Sequence, residues 1–164
     1  KAKDVKEEFG NKIKYILDGG ACAIGIESTI VNLIGRPSIL RLGGLDILKI
    51  QKTLGFKINI SINPKKKIAP GQSRLHYSPG IPLRMNVTKP KNDEAFMIIK
   101  RKKTKLKNYF YLTSKNNLDE AAKNLYSCLR KIKNQGYKSI AVEKIPNIGL
   151  GKTINDRLNR ASKY

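Results

Sequence analysis

The spacing of apolar and polar residues divides the chain into two ordered stretches with an aperiodic stretch between them. In the first stretch, β-branched runs predict strands, and an aspartate ahead of an apolar face predicts a capped helix. The elements predicted for residues 1–60 are a helix at Lys3–Phe9, a strand at Ile13–Leu17, a hairpin of 29–34 with 38–42, and a helix that follows Asp46 and ends at Gly55. Because these strands are too few to close a sheet, residues 1–60 are predicted to be the end of an α/β domain.

Periodicity disappears from Ser61 to about Leu83 and returns beyond it. The clearest signal there is an apolar stripe at helical spacing, preceded by Asn117 as N-cap and ended by Gly136. The elements predicted for this part are strands at 96–99, 109–112 and 139–142, the helix after Asn117, and a closing helix at 152–163. Strands that alternate with helices indicate an α/β domain. The predicted organisation is therefore an incomplete α/β domain at 1–60, a linker rich in proline and glycine at 61–85, and a small α/β domain at 86–164.

Composition adds a strong positive charge, since 34 Lys and Arg against 12 Asp and Glu give a formal net charge of +22. Lys and Arg displace the counterions of nucleic acids, so a basic RNA-binding module is one interpretation. The other interpretation is that the lysines are spread over all solvated faces. Only Lys65–Lys67 and Arg101–Lys103 form runs, and neither run is interleaved with aromatic residues. Charge alone leaves both interpretations open.

The sequence also predicts the cellular compartment. No apolar run reaches the roughly 18 residues of a membrane span, and residues 1–14 lack the apolar block of a signal peptide. The two cysteines, Cys22 and Cys128, do not have the spacing of a metal site. We therefore expect a cytoplasmic protein without a membrane partner, in which both cysteines are reduced and packed.

Ser28, Thr29 and Arg41 are candidate ligand-binding residues in the predicted hairpin. Ser28 and Thr29 stand at a glycine-bounded strand entry, where hydroxyl and backbone N–H groups can reach a polar or anionic ligand. The guanidinium of Arg41, on the return strand, can bind a phosphate through two parallel hydrogen bonds. The alternative is that Ser28 and Thr29 only start a strand and that Arg41 is solvated, and composition does not decide between the two.

The segment 148–153, with sequence IGLGKT, follows a predicted strand and opens a helix, as a phosphate-binding P-loop does. That motif requires a glycine five residues before the Gly-Lys pair. Pro146 occupies the position, and proline has no N–H and a fixed φ. We therefore expect a plain helix start here.

The linker contains chemically versatile side chains that ordinary linkers lack, because Arg74, His76 and Tyr77 lie together in it. His76 is the single histidine of the chain. One histidine and two unmatched cysteines build neither a Ser-His-Asp triad nor a metal cluster. No catalytic residue and no metal site is predicted from these residues.

Four segments occur in a fixed order: GIESTIVNL at 25–33, SILRLGG at 38–44, APGQSRLHYSP at 69–79 and GLGKTINDRLNRAS at 149–162. In this order and spacing they resemble the threonylcarbamoyl-AMP synthase family, also called the YrdC-like family, in its long form. The resemblance implies that residues 1–60 are the C-terminal part of a YrdC-like α/β catalytic domain. It further implies that 61–85 form a linker acting as a gate and that 86–164 form a Rossmann-like α/β domain.

The resemblance implies an activity as well. Members of this family join L-threonine, bicarbonate and ATP, used with Mg²⁺, into threonylcarbamoyl-AMP and release pyrophosphate. Other proteins then transfer the threonylcarbamoyl group to tRNA. The implied roles are contact of Ser28 with L-threonine, with Thr29 beside it, and binding of the nucleotide by Arg41. Arg74, His76 and Tyr77 are implied to lie over the mouth of the active site.

The chain also departs from the family pattern. Members commonly have proline where this chain has Leu42, and their other nucleotide- and threonine-binding motifs, a basic one and a Ser-x-Asn one, belong ahead of Lys1. We therefore expect a C-terminal portion of the enzyme, inactive without an N-terminal half that would be its partner if separately encoded. The rival hypotheses are a basic RNA-binding module with weak affinity for tRNA or double-stranded RNA, and a gene remnant without function.

Overall fold

The computed structural model describes residues 1–73, 76–104 and 106–163 and shows a mixed α/β fold with two sheets. The helices are α1 (Ala2–Phe9), α2 (Ile47–Leu54), α3 (Leu118–Asn134) and α4 (Leu150–Ala161). The strands are β1 (Ile30–Asn32), β2 (Ser38–Arg41), β3 (Asn59–Ile60), β4 (Leu83–Arg84), β5 (Ala95–Lys100), β6 (Tyr109–Thr113) and β7 (Ile140–Val142). A short 3-10 turn, Gly10–Lys12, follows α1.

The first sheet has the order β1-β2-β3 and confirms the predicted hairpin. β1 and β2 are antiparallel, and α2 carries the chain from β2 to the parallel strand β3. Asp46 caps α2, its carboxylate accepting a hydrogen bond of 3.0 Å from the Leu48 N–H, and Gly55 ends it in a left-handed conformation. The core of this sheet is small, with Ile39, Leu42, Ile47 and Ile58 buried.

Two predictions for the first 60 residues are wrong. Residues 13–17 form no strand, and the side chains of Tyr15 and Leu17 are 88% and 97% exposed. The segment is a largely apolar run, which favours a strand, but a strand also needs a neighbour for its backbone groups, and no described strand lies beside this segment. Cys22 is exposed rather than packed, whereas Cys128 is buried, which raises the pKa of its thiol to about 12.

The second sheet has the order β4-β7-β5-β6 with all strand pairs parallel, which confirms the predicted α/β character of the C-terminal part. Its main core contains β5, β6, β7, α3 and α4. Asn117 caps α3, since its side-chain oxygen accepts hydrogen bonds of 2.8 and 3.0 Å from the backbone N–H groups of Asp119 and Glu120. Strands 96–99, 109–112 and 139–142 and the closing helix are confirmed with small changes of boundary.

The connection between β5 and β6 differs from the usual Rossmann crossover. Parallel neighbours normally need a helix between them. Here the described residues between Lys100 and Tyr109 form no helix, and this connection includes the basic run Arg101–Lys103. The face of the sheet away from α3 has its own buried cluster, with Phe96 and Ile98 almost fully buried.

The two α/β parts share packing. Ile26, from the segment before β1, is buried in the core of the C-terminal part. Thr153 on α4 donates a buried hydrogen bond of 3.0 Å to the carbonyl oxygen of Gly43. The end of β2 is therefore held by the last helix. None of the described helices is long and apolar enough to cross a membrane.

We expect amide hydrogen exchange to divide the chain unevenly. Residues 13–24 have little regular structure and should exchange as an unstructured peptide does. The buried strands β5 and β7 and helix α3 should exchange at least about a thousandfold more slowly, because their amides open only with the core. Mass-spectrometric exchange on the intact chain measures both, and equal protection of the two regions would contradict this picture.

Candidate functional site

The β1–β2 hairpin brings Ser28 and Arg41 together. The Nε of Arg41 donates a hydrogen bond of 3.0 Å to the carbonyl oxygen of Ser28, and its NH2 group donates one of 3.1 Å to Ser28 Oγ. Ser28 is exposed and Arg41 is half-buried. Two of the five N–H donors of the guanidinium are used in this way, and the others have no partner among the described residues. The group is therefore oriented and still able to bind an anion.

Thr29 has a different environment from Ser28. Its hydroxyl donates to the carbonyl oxygen of Leu45 at 2.8 Å and accepts from the Leu45 N–H at 3.2 Å. Gly43 passes against the same segment so closely that a Cβ on it would lie 2.1 Å from the Thr29 nitrogen. The Thr29 side chain thus fastens the strand entry to the turn that follows β2, and its hydroxyl is engaged there.

The linker folds back onto the hairpin. Gln72 is buried, and its amide donates a hydrogen bond of 3.0 Å to the Leu40 carbonyl while its oxygen accepts from the N–H groups of Ile68 and Ala69. The Gln72 side chain therefore connects the linker to β2 and also connects two parts of the linker with each other.

Gly71 has a left-handed φ of +85° and lies against Tyr77. A Cβ on Gly71 would be 2.6 Å from Tyr77 Oη and 3.0 Å from Cδ of Arg41. The Tyr77 hydroxyl is buried without a hydrogen-bond partner in the described part of the chain. The His76 ring lies 3.9 Å from the Tyr77 ring, between centroids. The linker therefore places an aromatic pair beside the Ser28–Arg41 hairpin.

Helix α4 supplies an arginine to the same place. The Arg157 side chain is 1% exposed, and its Nε donates to a Glu27 carboxylate oxygen at 3.2 Å. Its NH2 group donates to the carbonyl of Leu42 at 2.7 Å, and its guanidinium carbon lies 4.5 Å from the centre of the Tyr77 ring. Asp156 binds the remaining nitrogen at 2.7 Å. One buried cation thus contacts the strand entry, the end of β2 and the linker.

Arg160, one turn further on, contacts the linker from the other side. It is buried, and it donates hydrogen bonds of 3.0 Å to the carbonyls of Ser73 and Ile62 and to the Asn63 side chain. Asp156 balances its charge. The two arginines hold the linker at both ends of its contact with α4.

The local charges shift two pKa values. Partial burial alone would raise the pKa of Glu27, but the charge of the Arg157 guanidinium and the hydrogen bonds to the carboxylate together hold that pKa below its usual range. Partial burial lowers the pKa of His76, Glu27 opposes the shift, and the neighbouring arginines reinforce it. His76 is therefore neutral at pH 7 and Glu27 is ionised.

The tyrosines of the site stay neutral as well. Burial raises the pKa of both Tyr77 and Tyr126. Their rings stack with centroids 5.9 Å apart, and Tyr126 Oη lies 3.3 Å from a Glu27 oxygen. The Glu27 carboxylate consequently lies between Arg157 and the Tyr126 hydroxyl, while Asp156 binds Arg157 from helix α4.

The structure brings together four of the six residues proposed from the sequence: Ser28, Arg41, His76 and Tyr77. The Thr29 backbone lies at the site while its hydroxyl points to Leu45. Arg74 lies outside the described residues. The roles assigned to all six remain predictions.

The plain helix start expected near residue 148 is observed. Helix α4 begins at Leu150 after Gly149, and Gly151 packs on the Pro146 carbonyl. No group of three or more His, Cys, Asp or Glu suited to a metal ion occurs among the residues that the structure describes.

Sequence reasoning missed Glu27, Gln72, Arg157 and Arg160. Glu27 lies beside Ser28 in the segment GIESTIVNL. Arg157 and Arg160 are three residues apart on a predicted helix, which places both arginines on one face of that helix. Nothing in the local pattern indicated that Arg157 contacts residues 27 and 42 or that Arg160 contacts the linker.

The fold and the site define an α/β protein in which a linker packs on a polar hairpin beside several arginines. Comparison with known proteins gives its family. The family model described as "Threonylcarbamoyl-AMP synthase, C-terminal domain" matches residues 44–163, and one described as "Telomere recombination" matches residues 1–43. The chain belongs to the threonylcarbamoyl-AMP synthase family.

Curated relatives include the threonylcarbamoyl-AMP synthases of Pyrococcus abyssi, Schizosaccharomyces pombe and Bacillus subtilis. They are 32%, 30% and 27% identical over 183, 195 and 181 residues. The matches cover 99%, 98% and 99% of this chain and 53%, 48% and 52% of the relatives. The chain therefore spans about half the length of the curated relatives that it matches.

Two solved structures are similar over 99% of this chain. The first is P. abyssi Sua5 complexed with L-threonine, with a TM-score of 0.83, 30% identity and 53% of that chain covered. The second is P. abyssi Sua5 with an adjacent histidine and tyrosine each replaced by alanine, with a TM-score of 0.79, 28% identity and 52% of that chain covered.

Proposed function

We propose that this chain supplies part of the active site of a threonylcarbamoyl-AMP synthase. The reaction joins the amine nitrogen of L-threonine to the carbon of bicarbonate, with loss of water, to give a carbamate. A carbamate oxygen then forms a bond to the α-phosphorus of ATP, and the bond to pyrophosphate breaks. The enzyme is in this sense a nucleotidyltransferase, and we place its product in tRNA modification in the cytoplasm, where other proteins transfer the threonylcarbamoyl group to tRNA.

The observation that carries the proposal is the hydrogen-bonded pair of Ser28 and Arg41 beneath the linker. Arg41, oriented through Nε and NH2, would direct its remaining N–H groups at the phosphates of ATP. Ser28 would present its exposed hydroxyl to L-threonine, with the backbone of Thr29 beside it. L-threonine as the amino-acid ligand is supported by the P. abyssi complex.

The linker would act as a gate. His76 and Tyr77 form the single His-Tyr dipeptide of this chain, and a similar structure carries alanine in place of an adjacent histidine and tyrosine. Closure of Tyr77 over Arg41 would exclude water from the phosphates. Arg74, next to this pair in sequence, is proposed to belong to the same gate.

The site suits a magnesium nucleotide without a protein cage for the metal. Mg²⁺ is commonly held by substrate phosphates, water and one or two carboxylates. Arg41, neutral His76 and the buried Tyr77 hydroxyl offer hydrogen-bond donors to phosphate oxygens. Binding of ATP and its Mg²⁺ here would need no cluster of carboxylates from this chain.

The proposal is tested by restoring the half of the enzyme that the match leaves out. The half of the P. abyssi relative that is not matched would be joined ahead of Lys1 or co-expressed as a separate chain. We expect threonine-dependent release of pyrophosphate from the completed enzyme and none from this chain alone, because positioning ATP, bicarbonate and threonine needs more than one arginine.

Omission of L-threonine from the assay is the control. Threonine-dependent pyrophosphate release from a clean preparation of the chain alone would show that the chain does not need a partner half. Failure of a folded, completed enzyme to release pyrophosphate would overturn the proposed function.

A second candidate function, RNA binding, is favoured by one contact. The Arg101 guanidinium lies 5.2 Å from the centre of the half-exposed Tyr111 ring. The aromatic neighbour that the basic run lacks along the sequence is thus supplied by strand β6. Lys103 and Lys107 of the same connection are exposed, while Lys102 is ion-paired with Glu143 at 2.8 Å. A base could stack on Tyr111 while these cations bind the backbone.

Salt dependence tests this candidate. For single-stranded RNA, Arg101→Ala should reduce the slope of log K against log salt by about 0.7, and Tyr111→Ala should weaken binding by about 1–3 kcal/mol. Arg36→Ala removes the same charge from the exposed hairpin turn and is the control. Equal effects of Arg36→Ala and Arg101→Ala would indicate diffuse charge and not a site.

A further inference from the structure

Arg157 is the feature of the molecule that the proposed reaction leaves unexplained. It is a buried arginine on the last helix, and its described partners lie in four segments: Glu27, Leu42, Tyr77 and the adjacent Asp156. Burying an arginine is costly unless every charge and donor is matched. An apolar residue would pack α4 at lower cost, so packing alone does not account for it.

The partners of Arg157 stand next to the site residues in sequence. Glu27 directly precedes Ser28, and Leu42 directly follows Arg41. Nε and NH2 of the same planar group therefore fix both ends of the Ser28–Arg41 contact, at 3.2 and 2.7 Å. A rigid fork that binds both segments sets their distance from each other.

The guanidinium also contacts the linker. While its N–H groups bind Glu27, Leu42 and Asp156, its central carbon lies over the Tyr77 ring, 4.5 Å from the ring centre. A cation beside the π electrons of a tyrosine ring is attracted to them, more strongly where water is excluded. The linker is thus stabilised in its position by the same group that fixes the hairpin.

We propose that Arg157 is a positioning residue that couples closure of the linker to the geometry of the Ser28–Arg41 site. It does so by holding Glu27, the Leu42 carbonyl and the Tyr77 ring on one guanidinium. This inference rests on the proposed function for its catalytic meaning, but its structural part stands independently. Helix α4 belongs to the C-terminal domain, so that domain would set the gate of the neighbouring active site.

The test uses the intact chain with Arg157→Met, which keeps an unbranched apolar side chain about as long as the arginine stem and removes the charge and the donors. Arg130→Met is the matched control, because Arg130 pairs with Asp4 on the partly exposed surface of α3 and has no hydrogen bond or ion pair to the described residues of the linker or the hairpin. We expect amide exchange of the linker segment 71–80 and of residues 26–29 to rise at least about tenfold in Arg157→Met. Exchange of β5 and α3 should be unchanged in both variants.

Two further variants keep the test decisive if Arg157→Met does not fold. Tyr77→Leu removes only the linker side of the contact, so it should raise exchange in 71–80 and leave 26–29 unchanged. Arg157→Lys keeps the charge without the planar set of donors. In this variant the amides of β5 and α3 should exchange as slowly as in the wild-type chain, whereas the protection of the linker should be restored only in part. The pKa of Glu27, followed by carbon NMR, should rise in Arg157→Met and stay low in Tyr77→Leu.

Unchanged linker exchange in Arg157→Met or in Tyr77→Leu would overturn the inference, as would a uniform rise over the whole chain. In the completed enzyme, Arg157→Met should lower kcat and raise KM for ATP together, whereas Arg130→Met should change neither. If the linker loosens as expected and the completed wild-type enzyme releases no pyrophosphate, the proposed function fails while the coupling stands.

Discussion

Replacement of Arg41 by alanine is expected to lower kcat/KM of the completed enzyme by about tenfold to 150-fold. The physical reason is the loss of a charge-assisted hydrogen bond to the nucleotide in a partly desolvated site, which contributes about 1.5–3 kcal/mol. The loss has a second component here. Arg41 also binds the Ser28 carbonyl and Oγ, so the variant would release the proposed threonine contact at the same time. Steady-state pyrophosphate release, with ATP and L-threonine varied separately, measures both.

His76→Ala is the matched comparison and should cost less than Arg41→Ala. On a gate, His76 affects closure, so KM and kcat should shift together by a smaller factor. If His76 were a general base, its replacement by alanine would instead lower kcat by roughly a hundredfold or more and would remove a bend from the pH profile. Because the pKa of His76 lies below its ordinary value of 6.5, that bend would fall below pH 6.5. A larger loss in His76→Ala, with disappearance of the bend, would make the linker part of the chemistry.

Gly151→Ala is expected to destabilise the chain by about 3 kcal/mol or more. Helix propensity alone predicts a gain of about 1 kcal/mol for this change. Steric overlap outweighs this gain, since a Cβ on Gly151 would lie 1.9 Å from the carbonyl oxygen of Pro146. That oxygen belongs to the backbone, so relief requires moving α4 away from the loop before it. Urea unfolding followed by circular dichroism measures the loss as a lower midpoint.

Gly19→Ala is the control for this substitution. Gly19 has no left-handed φ, and a Cβ on it would meet nothing within 4 Å. Gly19→Ala should therefore change the free energy of unfolding by no more than about 0.5 kcal/mol. Equal midpoints for Gly151→Ala and the wild-type chain would show that the first turn of α4 can shift freely.

Local patterns predicted most elements of the fold because local interactions determine them. Asp46 and Asn117 could be identified from the sequence as the N-caps of α2 and α3. The hairpin could be identified from a β-branched run followed by a Gly-Arg-Pro turn. The prediction of a strand at Ile13–Leu17 was wrong because strand pairing depends on the tertiary structure, which a local run of apolar residues does not determine. The exposed Cys22 belongs to the same unpaired segment.

The site residues inside the recognised motifs could be named from the sequence. In the structure Ser28 and Arg41 are neighbours and Tyr77 of the linker lies beside Arg41, while their roles stay predictions. The arginines of α4 could not be found in this way. Arg157 and Glu27 are 130 residues apart, and only the packing of the last helix onto the hairpin brings them together.

This separation has a consequence for synthesis of the protein. The hairpin leaves the ribosome before the helix that holds it, and at about 5–20 residues per second the 130 intervening residues take roughly 6–26 s. During that interval Glu27 has no cation, the linker has no helix to rest on, and Leu33 and Ile34 at the hairpin tip are already exposed. A nascent chain in this state offers chaperones an apolar hairpin, and ribosome-bound chains that end before α4 should bind them more strongly than chains released after it.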